Sequence, residues 1–588
     1  MGLRFIKTMT VNLLKYSKLF SVLPVLSMLV AISTAPIAYA DSVQNAPAPA
    51  PASQPAPYQT CGTVIVAPGA GLGTPPAAIT SLIPLLNISA YNIEASGNLF
   101  DSLLWVTRAH TVDFSRSIAA SIDVSPDNTI FTIKLHPRHW SDGVPVTASD
   151  VKYTYDLIKR LGPIYQDYDT GGIPTLVKSF TVVDPETIQV TLLHPVNPNW
   201  FILNGLGQLY ALPQHVWGKY SVDELWRHQT DPALFKVVDG PFRLIDFAVG
   251  RHVIFGPNPT YELQKPMIHR FIMDFSGTSA GAELDGIKSG ALDVANLPFS
   301  LWNAGMALPN IRKIRLTPNF GFDYMGMNFK NPNVAFFRDV RVRQAIADAV
   351  NQKLADDLLL HGTTEPQYGP VPLQPPTFLS PNALAGKYPV GYDPARARAL
   401  LDAAGWKVGP DGIRVKDRKR LSFTETLPSG GATSTLGAEL MQQDLQKVGI
   451  KMKIKDVTFN QMLAIQNGPP AGWEAMGFGW SLSSYPSNGT MFGTGGGNNQ
   501  DGYSDAKMDQ LINDIRTKPG NAALFTYQDY AAEQQPVIFA STPGSVVLAN
   551  PNLRGIHKFL SPTGAWSPQY LHFTNPEMCD GSPDHHPS

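Results

Sequence analysis

The sequence predicts an α/β protein with more than one domain. Strand-like and helical runs alternate through most of its 588 residues, and 43% of those residues are hydrophobic. Interleaving of this kind points to helices layered on sheets. The length exceeds the usual span of about 100 to 200 residues for one domain.

The strand-like runs are rich in β-branched residues or alternate apolar with polar. In chain order they are GTVIVAP (62–68), TIFTIKL (129–135), SFTVVD (179–184), TIQVTLL (187–193), FRLIDFAVGRHVIFG (242–256) and KMKIKDV (451–457). The helical runs carry apolar residues three or four apart. They are ASDVKYTYDLIKRL (148–161), AGAELDGIKSGALDV (280–294), DVRVRQAIADAVNQKLADDLLL (339–360), DPARARALLDAAGW (393–406) and TLGAELMQQDLQKVG (435–449). Asp393-Pro394 starts a helix with an acceptor at the cap and proline in the first turn, and Gly405 and Gly449 stand where a left-handed residue ends one. No internal repeat is evident.

The N-terminus reads as a secretory signal over residues 1–40. Sparse positive charge (Arg4, Lys7, Lys15, Lys18) precedes an apolar stretch, 19–32, and the small-residue triplet Ala38-Tyr39-Ala40 follows. The stretch contains Pro24 and falls short of the roughly 18 to 20 apolar residues of a membrane span; the alternative is a retained N-terminal anchor. No cysteine follows the cleavage point, so no lipid attachment is expected there. Residues 41–60, with their APAPAPASQPAP run, read as an extended linker. The formal charge of −1 provides no field for nucleic acid or acidic membranes. Charged residues are 16% of the chain, below the usual ~25%. The two cysteines, Cys61 and Cys579, stand at the edges of the folded body. In an exported chain they suggest one disulfide, the alternative being two free thiols, and no thiolate zinc site is expected from them.

The most informative stretch is FTIKLHPRHWSDGVPVTASDVKYTYDLIKR (131–160). A strand leads through Ser141-Asp142-Gly143 to a helix start at Thr147, with Asp150 three residues on as the second half of a capping box. Trp140, Asp142, Gly143, Pro145, Thr147, Ala148, Asp150 and Val151 together resemble a signature of the large extracytoplasmic solute-binding proteins of ABC transporters, the family 5 group that takes peptides, nickel and opines. Further segments resemble the family in order: Gly240-Pro241-Phe242 with Gly250, Asn258-Pro259 and Tyr261; Lys288-Ser-Gly290 with Asp293; Met327-Asn328 with Asp339, Arg341, Arg343 and Gln344; Tyr392-Asp393-Pro394 to Gly405-Trp406; Leu445 to Ile450; and Gly479-Trp480 with Asn498-Asn499 and Gly502-Tyr503-Ser504.

That resemblance implies a two-lobed periplasmic-binding-protein fold of type II, in the large peptide-binding subclass, with a hinge between the lobes. Lobe I is expected over 61–317 with an inserted subdomain at about 90–240, lobe II over 318–540, a return to lobe I over 541–580, and a disordered tail over 581–588. The return brings Cys61 and Cys579 into one lobe. The expected protein is a periplasmic monomer without cofactor, metal or enzymatic activity. It delivers a small molecule or short peptide to separate permease subunits, with no nucleic acid partner and no stable membrane insertion after signal cleavage.

The expected ligand contacts lie in GFGWSLSSYPSNGTMFGTGGGNNQDGY (477–503): Trp480, Ser483, Tyr485 and Asn499. In peptide-binding relatives an Asp on the stretch after Gly-Trp pairs with the peptide's α-amino group; Ser483 occupies that place here. A neutral solute such as a glycoside is therefore an alternative to a peptide, unless Glu474, Asp501 or Asp505 replaces the missing charge. Trp480 and Tyr485 can equally be core packing. Arg343 is expected to pair with a carboxylate near the hinge. Gly277-Thr-Ser279-Ala-Gly281 matches a nucleophile elbow between a strand and a helix, so a secreted serine hydrolase using Ser279 is the alternative from another class. The competing reading makes Thr278 or Ser279 a helix cap. His585-His586 lie in the polar tail.

Overall fold

The computed structural model describes residues 60–68, 79–86, 90–165, 167–275, 280–316, 318–429, 432–559 and 566–575. The chain divides between Tyr58 and Gln59, and the elements below belong to the second part. Cys579, Ser279, the signal and linker residues before 60, and the tail with His585-His586 lie outside the described residues.

Three sheets organise the body. The first has seven strands in the order Arg312–Leu316, Ser545–Ala549, Val294–Asn296, Thr63–Val66, Arg270–Asp274, His252–Pro257 and Phe242–Ala248. Thr63–Val66 runs parallel to both of its neighbours. The second has five, in the order Lys451–Val457, Ser422–Pro428, Ala475–Ser481, Gly321–Met327 and Ile538–Ala540. Its first three strands are parallel, and Gly321–Met327 runs against both neighbours. A four-stranded antiparallel sheet of Ala119–Val124, Ile130–Leu135, Thr187–Leu192 and Val177–Asp184 makes a side layer. The chain passes from the first sheet to the second after Leu316 and returns between Ala540 and Ser545.

The signature segment earns its residues by packing. Trp140 is fully buried and donates Nε1–H to Asp150 Oδ2 at 3.4 Å. That same oxygen accepts from the Thr147 amide at 2.8 Å and its hydroxyl at 3.1 Å, while Oδ1 accepts from the Gln214 amide at 3.1 Å. One carboxylate thus fixes the helix Ala148–Leu161, the indole and the following connection. Gly143 turns with φ +90, a conformation that favours glycine. Asp293 has a similar duty in the first sheet, accepting from the Ile65 amide and the Asn550 side chain at 2.9 Å each. Gly240 lies so close to Leu99 that a Cβ would come within 2.6 Å of its carbonyl carbon.

Two predicted helices end sooner than their apolar pattern. The run 280–294 is helical only as Ala280–Ser289; Gly290 turns at φ +80 and Val294 already begins a strand. The run 339–360 is two helices, Val340–Ala349 and Gln352–Leu359. Val350 is extended at the break, and Asn351 caps the second helix by accepting from the Leu354 amide at 3.0 Å. The Asn351 amide is taken by Asp444 Oδ2 at 3.0 Å. A side-chain cap and a tertiary acceptor outweigh the helical periodicity there.

Candidate functional site

The parallel strands Ser422–Pro428, Lys451–Val457 and Ala475–Ser481 end at one edge of the second sheet. Gly321 lies beside Ser481 at that edge, and Ala540 pairs with Asp323 there. Both passages between the sheets therefore meet the edge formed by the carboxyl ends of parallel strands, where open α/β sheets bind ligands.

The four expected contacts occupy different settings. Trp480 is half-buried at the end of its strand, opposite Phe322, and donates Nε1–H to Asn488 Oδ1 at 3.1 Å. Ser483 is exposed. Tyr485 is fully buried: its hydroxyl donates to Asn521 Oδ1 at 3.0 Å and accepts from Asn197 Nδ2 at 3.2 Å. Its backbone is held from both sides by Asn204, whose Oδ1 accepts from the Tyr485 amide and whose Nδ2 donates to the Tyr485 carbonyl, each at 2.8 Å. Burial pushes the Tyr485 hydroxyl up to about 12. Asn499 spends its amide inside its own loop, donating to the Gly493 and Tyr503 carbonyls and accepting from the Gly502 and Tyr503 amides. Trp480 and Ser483 thus keep surface at the strand edge, while Tyr485 and Asn499 shape the backbone around it.

Asn197 and Asn204 follow the side layer, whereas Tyr485 follows the second sheet, so the Tyr485 contacts join those two sheets. A second joint involves His110, in the loop after the chain segment at 105. Its ring lies 3.9 Å, centroid to centroid, from Phe320 and 6.1 Å from Phe378. Thr377 Oγ1 donates to the neighbouring Ala109 carbonyl at 2.7 Å. Burial lowers His110 to about 4, against a small opposing contribution from the Ser484 backbone. A third joint stacks His361 on Trp302 at 4.4 Å.

The acids considered as substitutes for the charge missing at Ser483 are occupied by the fold. Glu474 Oε2 accepts from the Thr424 amide at 2.6 Å. Asp505 caps the helix Ala506–Thr517 and accepts from Tyr530. Asp501 lies under Gly326, with an oxygen 2.7 Å from where a Cβ would be, and burial pushes it up to about 7. Arg343 corrects its expectation: its guanidinium meets no carboxylate and donates instead to the Gln534, Phe337 and Arg338 carbonyls. Carbonyl oxygens left over at the ends of turns satisfy its fork without a buried counter-ion. Arg341 is the residue that pairs with Asp339, at 2.7 Å.

Asp323 is the residue that the sequence reading passed over. It lies one position inside Phe322, opposite Gly479 on one side and Ala540 on the other. Burial pushes its carboxyl up to about 7. The available signal was an Asp within the otherwise apolar strand GFDYMGM, a residue depleted from strands.

A cavity of about 410 Å³ opens elsewhere, against Val371, Tyr388 and Ala532. One acid on its wall, Asp529, is already engaged by Ser380 Oγ at 2.7 Å and Asn382 Nδ2 at 2.6 Å. Among the described residues no three His, Cys, Asp or Glu side chains group as metal ligands, and no helix is long and apolar enough to cross a membrane.

Residues 113–502 match the family model described as bacterial extracellular solute-binding proteins, family 5. The oligopeptide-binding protein AppA of Bacillus subtilis is 26% identical over 491 residues, covering 80% of this chain and 87% of that protein. The solved structure of that AppA with a nonapeptide superposes with a TM-score of 0.67 at 22% identity, over 88% of this chain and 100% of the other. NikA from Brucella suis, solved with Fe(III)-EDTA, gives a TM-score of 0.72 at 20% identity, over 87% of this chain and 100% of the other.

Proposed function

The chain belongs to the bacterial extracellular solute-binding proteins of family 5, and from that premise we propose that it captures a peptide or peptide-like solute outside the cytoplasm and delivers it to the permease of an ABC importer. The observation that carries this reading is the pair of inter-body joints flanking the strand edge with Trp480 and Ser483: Tyr485 with Asn197 and Asn204, and His110 with Phe320 and Phe378. They are contacts a closed state makes and an open state loses. A solute touching both bodies adds its binding energy to the closed state alone and shifts the population accordingly.

The proposal includes lobes at 61–317 and 318–540 with a return over 541–580, supported by strands of the first sheet before 317 and after 544 and by all five strands of the second between them. It also includes signal cleavage after residue 40, a periplasmic monomer, and a Cys61–Cys579 disulfide. Cys61 is not a free thiol, which supports the pairing. A neutral, non-peptide solute is the second reading, favoured by the hydroxyl of Ser483 where peptide-binding relatives carry a carboxylate. The serine hydrolase reading gains no support from a family of solute-binding proteins.

Native mass spectrometry of the mature protein from its own host, followed by denaturation, tests the proposal. A released peptide, or a mixture of them, supports it; a single neutral solute favours the second reading. Protein that carries no solute, and whose radius of gyration is unchanged by every candidate peptide offered, overturns the receptor reading.

A further inference from the structure

Most buried acids near the strand edge have a task inside the fold, but Asp323 has none. It accepts no hydrogen bond from a described residue, and no neighbouring cation contributes to its titration, which burial alone displaces. The side chain is half-buried, so its carboxylate is partly stripped of water and gains no partner in exchange. Its surroundings are open in one direction. Asp323 Oδ1 lies 2.9 Å from where a Cβ on Gly479 would stand, so the carboxylate rests over bare backbone. Gly479 is exposed although it lies within a sheet strand, and Ala540, on the other flank, has only a methyl group. A free acceptor, a floor without a side chain and a small flanking residue thus coincide at the sheet edge where both passages between the bodies meet.

We propose that Asp323 is the counter-ion for a positively charged end of the captured solute, an ammonium or a guanidinium, seated over Gly479 beside the passage at Ala540. This rests on the receptor reading above and deepens it: the charge absent at Ser483 is supplied from a different strand and a different direction. Either cation offers several N–H donors to the two carboxylate oxygens in charge-assisted bonds. Its arrival favours the ionised carboxylate, so binding near neutral pH releases a proton from Asp323.

The test uses the full mature chain, wild type and Asp323→Asn, with trialanine and N-acetyl-trialanine as probes in calorimetry. Trialanine is expected to bind the wild type roughly 30-fold or more tightly than its acetylated form, with proton release that shows as a dependence of the measured heat on the buffer. Asp323→Asn is expected to abolish both the preference and the proton release. Gly479→Ala, which fills the space over the carboxylate, gives the same loss of preference and stands in if Asp323→Asn misfolds. Equal binding of the two peptides overturns the inference and leaves the receptor reading intact. If neither binds, the solutes released from the native-host protein decide. Amines or guanidines whose yield falls at least tenfold in Asp323→Asn support the inference, and neutral or anionic solutes overturn it. The absence of any bound solute overturns the receptor reading and this inference with it.

Discussion

Two clusters of carboxylates, one beside the first sheet and one within the second, are held in opposite ways. Beside the first sheet, Asp101 is met by the Arg138 guanidinium at 2.9 Å and by the Tyr261 hydroxyl at 3.0 Å. Asp239 supplies an acceptor to the Asp101 amide at 3.1 Å; burial and the Asp101 charge drive its own carboxyl well up toward the neutral form. In the second sheet, Asp323 and Glu425 have no such cation, and burial alone pushes each up to about 7. Glu425 lies beside Gly477 much as Asp323 lies beside Gly479, but Glu425 is almost wholly enclosed and one of its oxygens has no partner. The Asp101 charge is an internal fastening. Asp323 and Glu425 are a reserve that titrates within reach of neutral pH, as does Glu283 beside the first sheet.

The comparison breaks most sharply if the fastening is cut. Arg138→Met leaves Asp101 buried without its cation and is expected to cost about 3 to 5 kcal/mol of stability, measured by urea unfolding. Adding Asp101→Asn to it should recover a large part of that loss, because the stranded charge goes with it. A next, smaller effect is on the pH profile. Asp323, Glu425 and Asp501 hold protons in the folded state up to about 7 that the unfolded chain has lost near its ordinary carboxylate values, so their contribution to stability declines as pH rises through that window. His110 acts in the other direction: lowered to about 4, it contributes fully above its ordinary value near 6.5 and loses that contribution as pH falls through the folded value. Three carboxyls outweigh one histidine, so scanning calorimetry should find a melting temperature that falls between about pH 4 and about pH 7. Glu425→Gln should make that decline shallower and His110→Phe should make it steeper. A melting temperature that climbs steadily to pH 8 would contradict the protonated state assigned to these carboxyls. The smallest expected effect concerns the joint between the bodies. Tyr485→Phe removes a hydroxyl bonded to Asn197 and Asn521 and should cost about 1 kcal/mol in thermal or urea unfolding.

Much of the scaffold was legible because its residues answer local rules. Thr147 and Asp150 do form the capping box, and the helix Ala148–Leu161 matches its apolar period residue for residue. Strand alternation likewise located Lys451–Val457 and the hairpin of Phe242–Ala248 with His252–Pro257. The break at Val350 and Asn351 was not legible, since Asp444, which fixes it, is distant in sequence. The same limit governs the site. Trp480 and Ser483 are located by their segment, but Tyr485 is a hidden fastening because Asn197 and Asn204 reach it from nearly three hundred positions away. Asp323 was missed because its significance is an absence of partners, which only three-dimensional neighbours can reveal.

The strand Ser545–Ala549 sits inside the first sheet, hydrogen-bonded between Arg312–Leu316 and Val294–Asn296. A ribosome has therefore released the whole second body before it supplies the strand that links Arg312–Leu316 to the rest of that sheet. The nascent first body must wait with an unpaired internal edge, and its closure joins residues far apart along the chain, a topology that folds slowly. A truncation just before Ser545 would leave Arg312–Leu316 without the strand that joins it to the rest of that sheet.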